Sequence, residues 1–307
     1  MNRPTLEGVI PIAVMPFSED GTINFRDLNS QVDFMVEKEI RWLGFGYGSE
    51  VYTLSDSELL KVLSESVKRS NNKINIVGNL EVTSYQAAKE KLLMLRDTGI
   101  EMVMVRPHSM WAQASQVKLI DVLLQLDHQV GLRMVYQDAP QNTGVNLSPQ
   151  SLLDLVARGE NLKALKVEPV SPALKILEIA KDLSDKESSI IGGLGGIEII
   201  EEINNGSSGT MPGPAFPEIF REIISRVHLK DERNARLLFN RILPLLVFSN
   251  RDMATFLFVQ KYILMRRGVL NASILRMPNS EIRAGIEGEL LSLLDLIDFD
   301  SLLAECV

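Results

Sequence analysis

The nine residues from Leu162 to Val170 read LKALKVEPV. Leu, Ala, Leu and Val form a short apolar run that stops at Pro169, which suits a strand covered on both faces. Two lysines, Lys163 and Lys166, interrupt it. A buried ammonium is expensive, so it is either paired or used. Side chains three residues apart on a strand point to opposite faces, so the two lysines cannot share an environment. Lys163 stands near the start, where a lysine can snorkel outward. Lys166 stands near the C-terminal end, and Glu168 shares its face.

Seven further runs of this kind lie along the chain. They begin at Gly8 (GVIPIAVMPF), Trp42 (WLGFGYG), Ile74 (INIVGNL), Met102 (MVMVRP), Gly131 (GLRMVYQ), Ser188 (SSIIGGLGG) and Gly209 (GTMPGP). Gly, Pro or Asn bounds each of them. Amphipathic helical patterns fill the gaps. Phe25–Ile40 is one. Another opens at Ser55, with Glu58 three residues on as a capping box. SYQAAKEKLLMLRDTGI and SPQSLLDLVARG follow, the second stopping at Gly159. A strand-to-strand period of roughly 20 to 35 residues accommodates one strand, one helix and two loops. Eight units predict a (β/α)8 TIM barrel over residues 1–230. An open doubly wound sheet is the alternative, but no strong dinucleotide fingerprint accompanies the runs.

From residue 231 the pattern changes. Three amphipathic helices, DERNARLLFNRILPLLVFS, RDMATFLFVQKYILMRRG and SEIRAGIEGELLSLLDLI, follow without a strand between them. Residues 231–307 therefore read as a C-terminal three-helix extension that covers the barrel or builds an interface.

Composition narrows the function. Of 307 residues, 32 are Lys or Arg and 40 are Asp or Glu, a net charge of −8. That acidity, without a basic cluster, argues against nucleic acid. The N-terminal apolar run is broken by Pro11 and Pro16, and the run Ile242–Phe248 is too short to span a bilayer. Neither a membrane partner nor a secretory signal is expected. The single cysteine, Cys306, excludes an intramolecular disulfide, suits a cytoplasmic location and reads as an incidental surface residue. His108, His128 and His228 are scattered, so no metal site is expected.

In a TIM barrel the C-terminal ends of the strands hold the active site. Lys166 is then a candidate nucleophile, since a desolvated lysine amine forms Schiff bases with carbonyl substrates. A structural pair with Glu168 is the competing account. Glu168 and Asp138 are further acid/base candidates. GGLGG, Gly192–Gly196, closes the seventh run. It reads as a cramped rim or, less simply, as a phosphate-binding turn.

The stretches GVIPIAVMPFSEDGTINFRDL, GFGYGSEVYTLSDSE and LKALKVEP resemble the dihydrodipicolinate synthase and N-acetylneuraminate lyase family over most of the chain. The resemblance implies a barrel with added C-terminal helices, commonly a homo-oligomer (tetramer or dimer). It implies a class I lyase or aldolase acting on pyruvate or a related 2-keto acid, with no cofactor beyond the covalent lysine imine. Lys166 falls on the family lysine. The family's strand-five tyrosine, a proton relay, is assigned to Tyr136, although counting back from Pro140 lands on Gln137. Gly48 and Ser49 fall in the loop that holds the keto-acid carboxylate. Glu168, Gly193 and Met211 are assigned to the substrate pocket.

Several positions depart from the family. The loop's paired hydroxyl residues are Tyr47 and Gly48, the tyrosine pair after strand four is His108 and Ser109, and the carboxylate-binding arginine is Asn142. Arg106 and Arg133 are possible substitutes, Arg133 toward the wrong end of its strand. These losses count against the synthase substrate more than against imine chemistry. They leave open an aldolase, a sugar-acid dehydratase and a metabolite-binding barrel that has lost catalysis.

Overall fold

A computed structural model describes residues 5–183, 188–276 and 283–306. In chain order the elements are β1 (Gly8–Val9), α1 (Phe25–Glu37), β2 (Trp42–Gly44), α2 (Asp56–Ser70), β3 (Asn75–Val82), α3 (Tyr85–Arg96), β4 (Met102–Pro107) and α4 (Gln116–Val130). Then come β5 (Arg133–Asp138), α5 (Pro140–Thr143), α6 (Pro149–Arg158), β6 (Leu162–Val167), α7 (Pro172–Asp182), β7 (Ser189–Gly192), α8 (Ile199–Asn204), β8 (Gly209–Thr210) and α9 (Pro217–His228). α10 (Glu232–Ser249), α11 (Met253–Arg266), α12 (Arg283–Leu296) and the short α13 (Phe299–Ala304) complete the chain.

All eight apolar runs form strands, each paired in parallel with its neighbours in the order β1-β8-β7-β6-β5-β4-β3-β2. The parallel bridge Ile12↔Gly44 joins the two ends. The sheet therefore closes into the TIM barrel that the eight runs predict, and the open-sheet alternative is excluded. The pleat sorts side chains into two cores. Ile10, Trp42, Val77, Met104, Val135, Ala164 and Ile191 fill the barrel interior. Val103, Val105, Met134, Tyr136, Leu165 and Val167, their strand neighbours, pack outward against the helices.

Local chemistry sets the helix starts. Asn24, Ser55, Ser84, Ser115 and Ser148 each accept a hydrogen bond from the N–H three residues on. Such a cap contributes about 1 kcal/mol. The capping box at Ser55 closes as its spacing predicts: Glu58 N–H donates to Ser55 Oγ at 3.2 Å and Ser55 N–H to Glu58 Oε2 at 2.9 Å. The first helix ends at Glu37, short of Ile40, because the chain turns through Glu39 at φ 57°. The three C-terminal patterns become α10, α11 and α12, with α13 added; Ser280 to Ile282 of the third lie outside the described residues. Cys306 corrects an expectation. It is buried in the outer core just past the end of α13, and burial pushes its thiol up to about 11.

The C-terminal helices press on the barrel mouth. Glu50, left-handed at φ 52°, forms a fully buried ion pair with Lys261 of α11. The Gln260 amide leaves no room for a side chain at Gly213 and accepts from Ala215 N–H at 3.1 Å. Among the described residues, no helix is long and apolar enough to cross a membrane.

Candidate active site

The C-terminal ends of the strands enclose a cavity of about 260 Å³. Gly48, Lys166, Glu168 and Met211 line it, as expected from the sequence. Parity explains Lys166: on β6 it continues the inward face begun by Ala164, while Leu165 and Val167 turn to the helices. Lys163 stands half-buried at the strand start.

Lys166 Nζ lies 3.1 Å from Glu168 Oε1, and both residues are more than nine-tenths buried. Glu168 is held from three sides. Gln137 Nε2 donates to its Oε2 at 2.7 Å, and Leu194 N–H donates to its Oε1 at 3.0 Å. Burial pushes its pKa up, but Lys166 and these two donors outweigh burial and hold it below the ordinary value. A carboxylate that stays charged beside an amine can exchange protons with it.

Three sequence assignments are corrected. Tyr136 does not reach the cavity. It is fully buried in the outer core, its hydroxyl lacks a partner, and burial followed by the Asp138 charge raises its pKa well above normal. The inward position belongs to Gln137, which is in register with Lys166 on the adjacent strand. Ser49 is also fully buried. Its hydroxyl donates to Ala13 C=O and accepts from Gly46 N–H, so it is spent on holding the loop. Gly193 sits behind the cavity wall: a Cβ there would come within 2.0 Å of Glu168 Oε1. Its missing side chain makes room for the carboxylate.

Asp138 is not at the site. It faces α7 and accepts from Lys175 Nζ at 2.6 Å. Arg133 pairs with Glu101 at the opposite end of the barrel, at 3.4 Å. Arg106 does line the cavity, stacked 3.5 Å above the Tyr47 ring and donating to Glu81 at 2.6 Å. A larger groove of about 750 Å³ beside Lys175 shares no residue with this cavity and opens on the outer surface.

Among the lining residues that escape the sequence reading are Asn250, Asp252, Met253 and Phe256, from the α10–α11 junction. Asp252 caps α11, accepting from Thr255 N–H at 2.9 Å. Phe256 rests against Gly48, where a Cβ would meet its ring at 3.0 Å. The one available signal is the polar break SNRDM between two apolar helices. Among the described residues, no three His, Cys, Asp or Glu side chains stand together as metal ligands.

A sequence model for the dihydrodipicolinate synthetase family matches residues 5–296. The L-2-keto-3-deoxyarabonate dehydratase of Azospirillum brasilense is 22% identical over 302 residues, spanning 97% of this chain and 96% of that one. The 4-hydroxy-tetrahydrodipicolinate synthase of Methanococcus aeolicus is 22% identical over 256 residues, 80% of this chain and 85% of that one. The crystal structure of dihydrodipicolinate synthase from Rhodopseudomonas palustris superposes with a TM-score of 0.87 at 24% identity, covering 94% of this chain and 97% of that one, and so shares the fold. With the matched family model spanning both the barrel and the helices over its mouth, the chain belongs to the dihydrodipicolinate synthetase family.

Proposed function

We propose that the protein is a Schiff-base-forming lyase that attacks the ketone of a 2-keto acid through Lys166. The observation that carries this is the Lys166–Glu168 pair, 3.1 Å apart in the cavity at the C-terminal ends of the strands. Glu168 accepts a proton from the ammonium, and the neutral amine adds to C2. Glu168 returns its proton to the C2 oxygen, which leaves as water, so that the protonated imine forms and Glu168 is again a carboxylate. The imine draws electrons from C3, and Glu168 removes a C3 proton to leave an enamine.

The enamine has two fates. It can add to an aldehyde, or it can expel a hydroxyl from C4, with the Glu168 proton leaving in the water formed. We favour the second. Gln137 stands where the family carries its tyrosine relay, and Asn142 where the synthases carry arginine. Among the described residues, the acid/base group in contact with the lysine is Glu168, which suits proton removal and elimination from a 2-keto-3-deoxy sugar acid. The relative from Azospirillum brasilense, which spans nearly the whole chain, bears a dehydratase name. The lysine itself is the electron sink, so the reaction needs no cofactor. We place the protein in the cytoplasm as a homo-oligomer, which sedimentation of the purified chain checks.

The test is incubation with pyruvate and borohydride, followed by peptide mass spectrometry. The expected result is a reduced adduct on Lys166. No adduct with pyruvate or with a longer 2-keto acid would leave Lys166 a structural residue. Turnover is then compared between 2-keto-3-deoxy acids and pyruvate with a panel of aldehydes, which separates elimination from aldol addition.

A further inference from the structure

Behind the cavity wall lies a second buried carboxyl, Glu202 of α8, which the mechanism above does not use. It is fully buried, and neither of its oxygens makes a well-formed hydrogen bond, the Gly193 N–H being the one backbone donor that bears on it. A buried acid so poorly satisfied calls for an explanation. Its place supplies one. A Cβ on Gly192 would fall 1.9 Å from Glu202 Oε2, and a Cβ on Gly193 would fall 2.0 Å from Glu168 Oε1. Successive residues at a strand end face opposite ways. The turn after β7 is therefore one backbone thick, with Glu202 against its outer face and Glu168 against its inner face. The next residue, Leu194, donates its N–H to Glu168 at 3.0 Å. Ser207 ties the assembly from below: its N–H donates to Glu202 C=O at 2.9 Å, and its hydroxyl accepts from Gly192 N–H at 3.2 Å.

We propose, on the Schiff-base reading above, that Glu202 is a positioning residue whose carboxyl, acting through the Gly192–Leu194 turn, sets Glu168 for proton transfer beside Lys166. It touches no substrate. The charged groups that bear on it are Glu168 from the end of β6 and Glu198 and Glu201 of its own helix, all carboxylates. Burial pushes Glu202 up to about 8; the Gly193 N–H, the next influence in size, opposes it, and the three neighbouring carboxylates add smaller upward pushes. At neutral pH it is an uncharged wedge. Once ionised, it sets a second negative charge across a single backbone layer from Glu168.

The experiment follows two events on pyruvate. Borohydride trapping at Lys166 reports imine formation. Deuterium exchange of the pyruvate methyl protons, followed by proton NMR across pH 5 to 9.5, reports C3 proton removal by Glu168. Glu202→Gln, which keeps the shape of the neutral acid, is expected to trap normally and to exchange within about threefold of wild type. It should also lose an alkaline inflection that wild type shows near pH 8. Glu202→Ala is expected to trap normally but to exchange about ten- to a hundredfold more slowly, because a small misplacement of a catalytic group has effects of that size.

Wild-type trapping with no adduct removes the Schiff-base reading itself. Normal trapping with unchanged exchange profiles in both variants overturns the role of Glu202 alone. A readout independent of activity comes from melting. A carboxyl whose folded pKa exceeds its unfolded value ionises first in the unfolded chain, so the native state loses stability as pH rises from the ordinary carboxylate range to about 8. The Tm of Glu202→Gln minus that of wild type should climb between pH 5 and pH 8. A flat difference overturns the proposal even if Glu202→Ala does not fold.

Discussion

Two lysine–carboxylate pairs, one buried and one with a half-buried lysine, stand close together at the β5 and β6 ends, and they differ in what surrounds the ammonium. Lys175 Nζ donates to Asp138 at 2.6 Å, to Asn146 Oδ1 at 2.9 Å and to Leu147 C=O at 2.6 Å. Three donors meet three acceptors, and the charge is locked. Lys166 Nζ has Glu168 at 3.1 Å and otherwise faces the cavity. The difference follows from strand parity. Asp138 points outward to α7, whereas Lys166 and Glu168 point inward to a space that the side chains leave open. A buried lysine is therefore functional when its donors are under-used, and structural when they are saturated.

The largest break in this comparison comes from Lys166→Ala, which should abolish the borohydride adduct and all turnover, with folding preserved by circular dichroism. Next in size is Glu168→Gln. The adduct should form more slowly but still be trapped on long incubation, whereas pyruvate proton exchange should fall about 10²- to 10⁴-fold, the usual worth of a positioned acid/base. In wild type, exchange should persist as pH falls past 4.5, the ordinary glutamate value, because Glu168 is held below it. Its contribution to stability has the same sign: present above the unfolded pKa, lost as pH falls through the folded one.

The structural pair answers differently. Lys175→Met leaves Asp138 buried and uncompensated, at a cost of about 3–5 kcal/mol in urea unfolding. Trapping at Lys166 should survive under native conditions. Smallest of all is Tyr136→Phe, which deletes a buried hydroxyl with no partner. Exchange should match wild type, and stability should be unchanged or slightly raised. A large loss of exchange would restore Tyr136 as the relay.

The barrel was legible because each strand is a short apolar run between turn residues, a signal that needs no knowledge of distant contacts. Lys166 was legible for a related reason: parity and strand direction fix where a residue on a strand points. Tyr136 was misread because placing a relay there ignored the same rule, which gives the inward face to Val135 and Gln137. Ser49 was misread because it lies on a short 3₁₀ turn, where strand parity does not apply and its hydroxyl turns back to Ala13. Asn250, Asp252 and Phe256 were missed because they reach the cavity through the docking of α11, a tertiary event that the polar break SNRDM marks but does not locate. Glu202 is one acid among several on a short helix, and only the closeness of the two glycines to the two carboxyls sets it apart.

The ion pair between Glu50 and Lys261 joins residues 211 apart in sequence. On a ribosome, the loop after β2 therefore emerges long before its counter-charge, and the wall formed by Asn250, Asp252 and Phe256 comes later than all eight strands. The barrel is laid down first, but the Lys261 ammonium that pairs with Glu50 and the residues that wall the cavity on this side come only with α11. Competence to hold a substrate thus arrives with the last quarter of the chain, as a late event of synthesis rather than a property of the barrel alone.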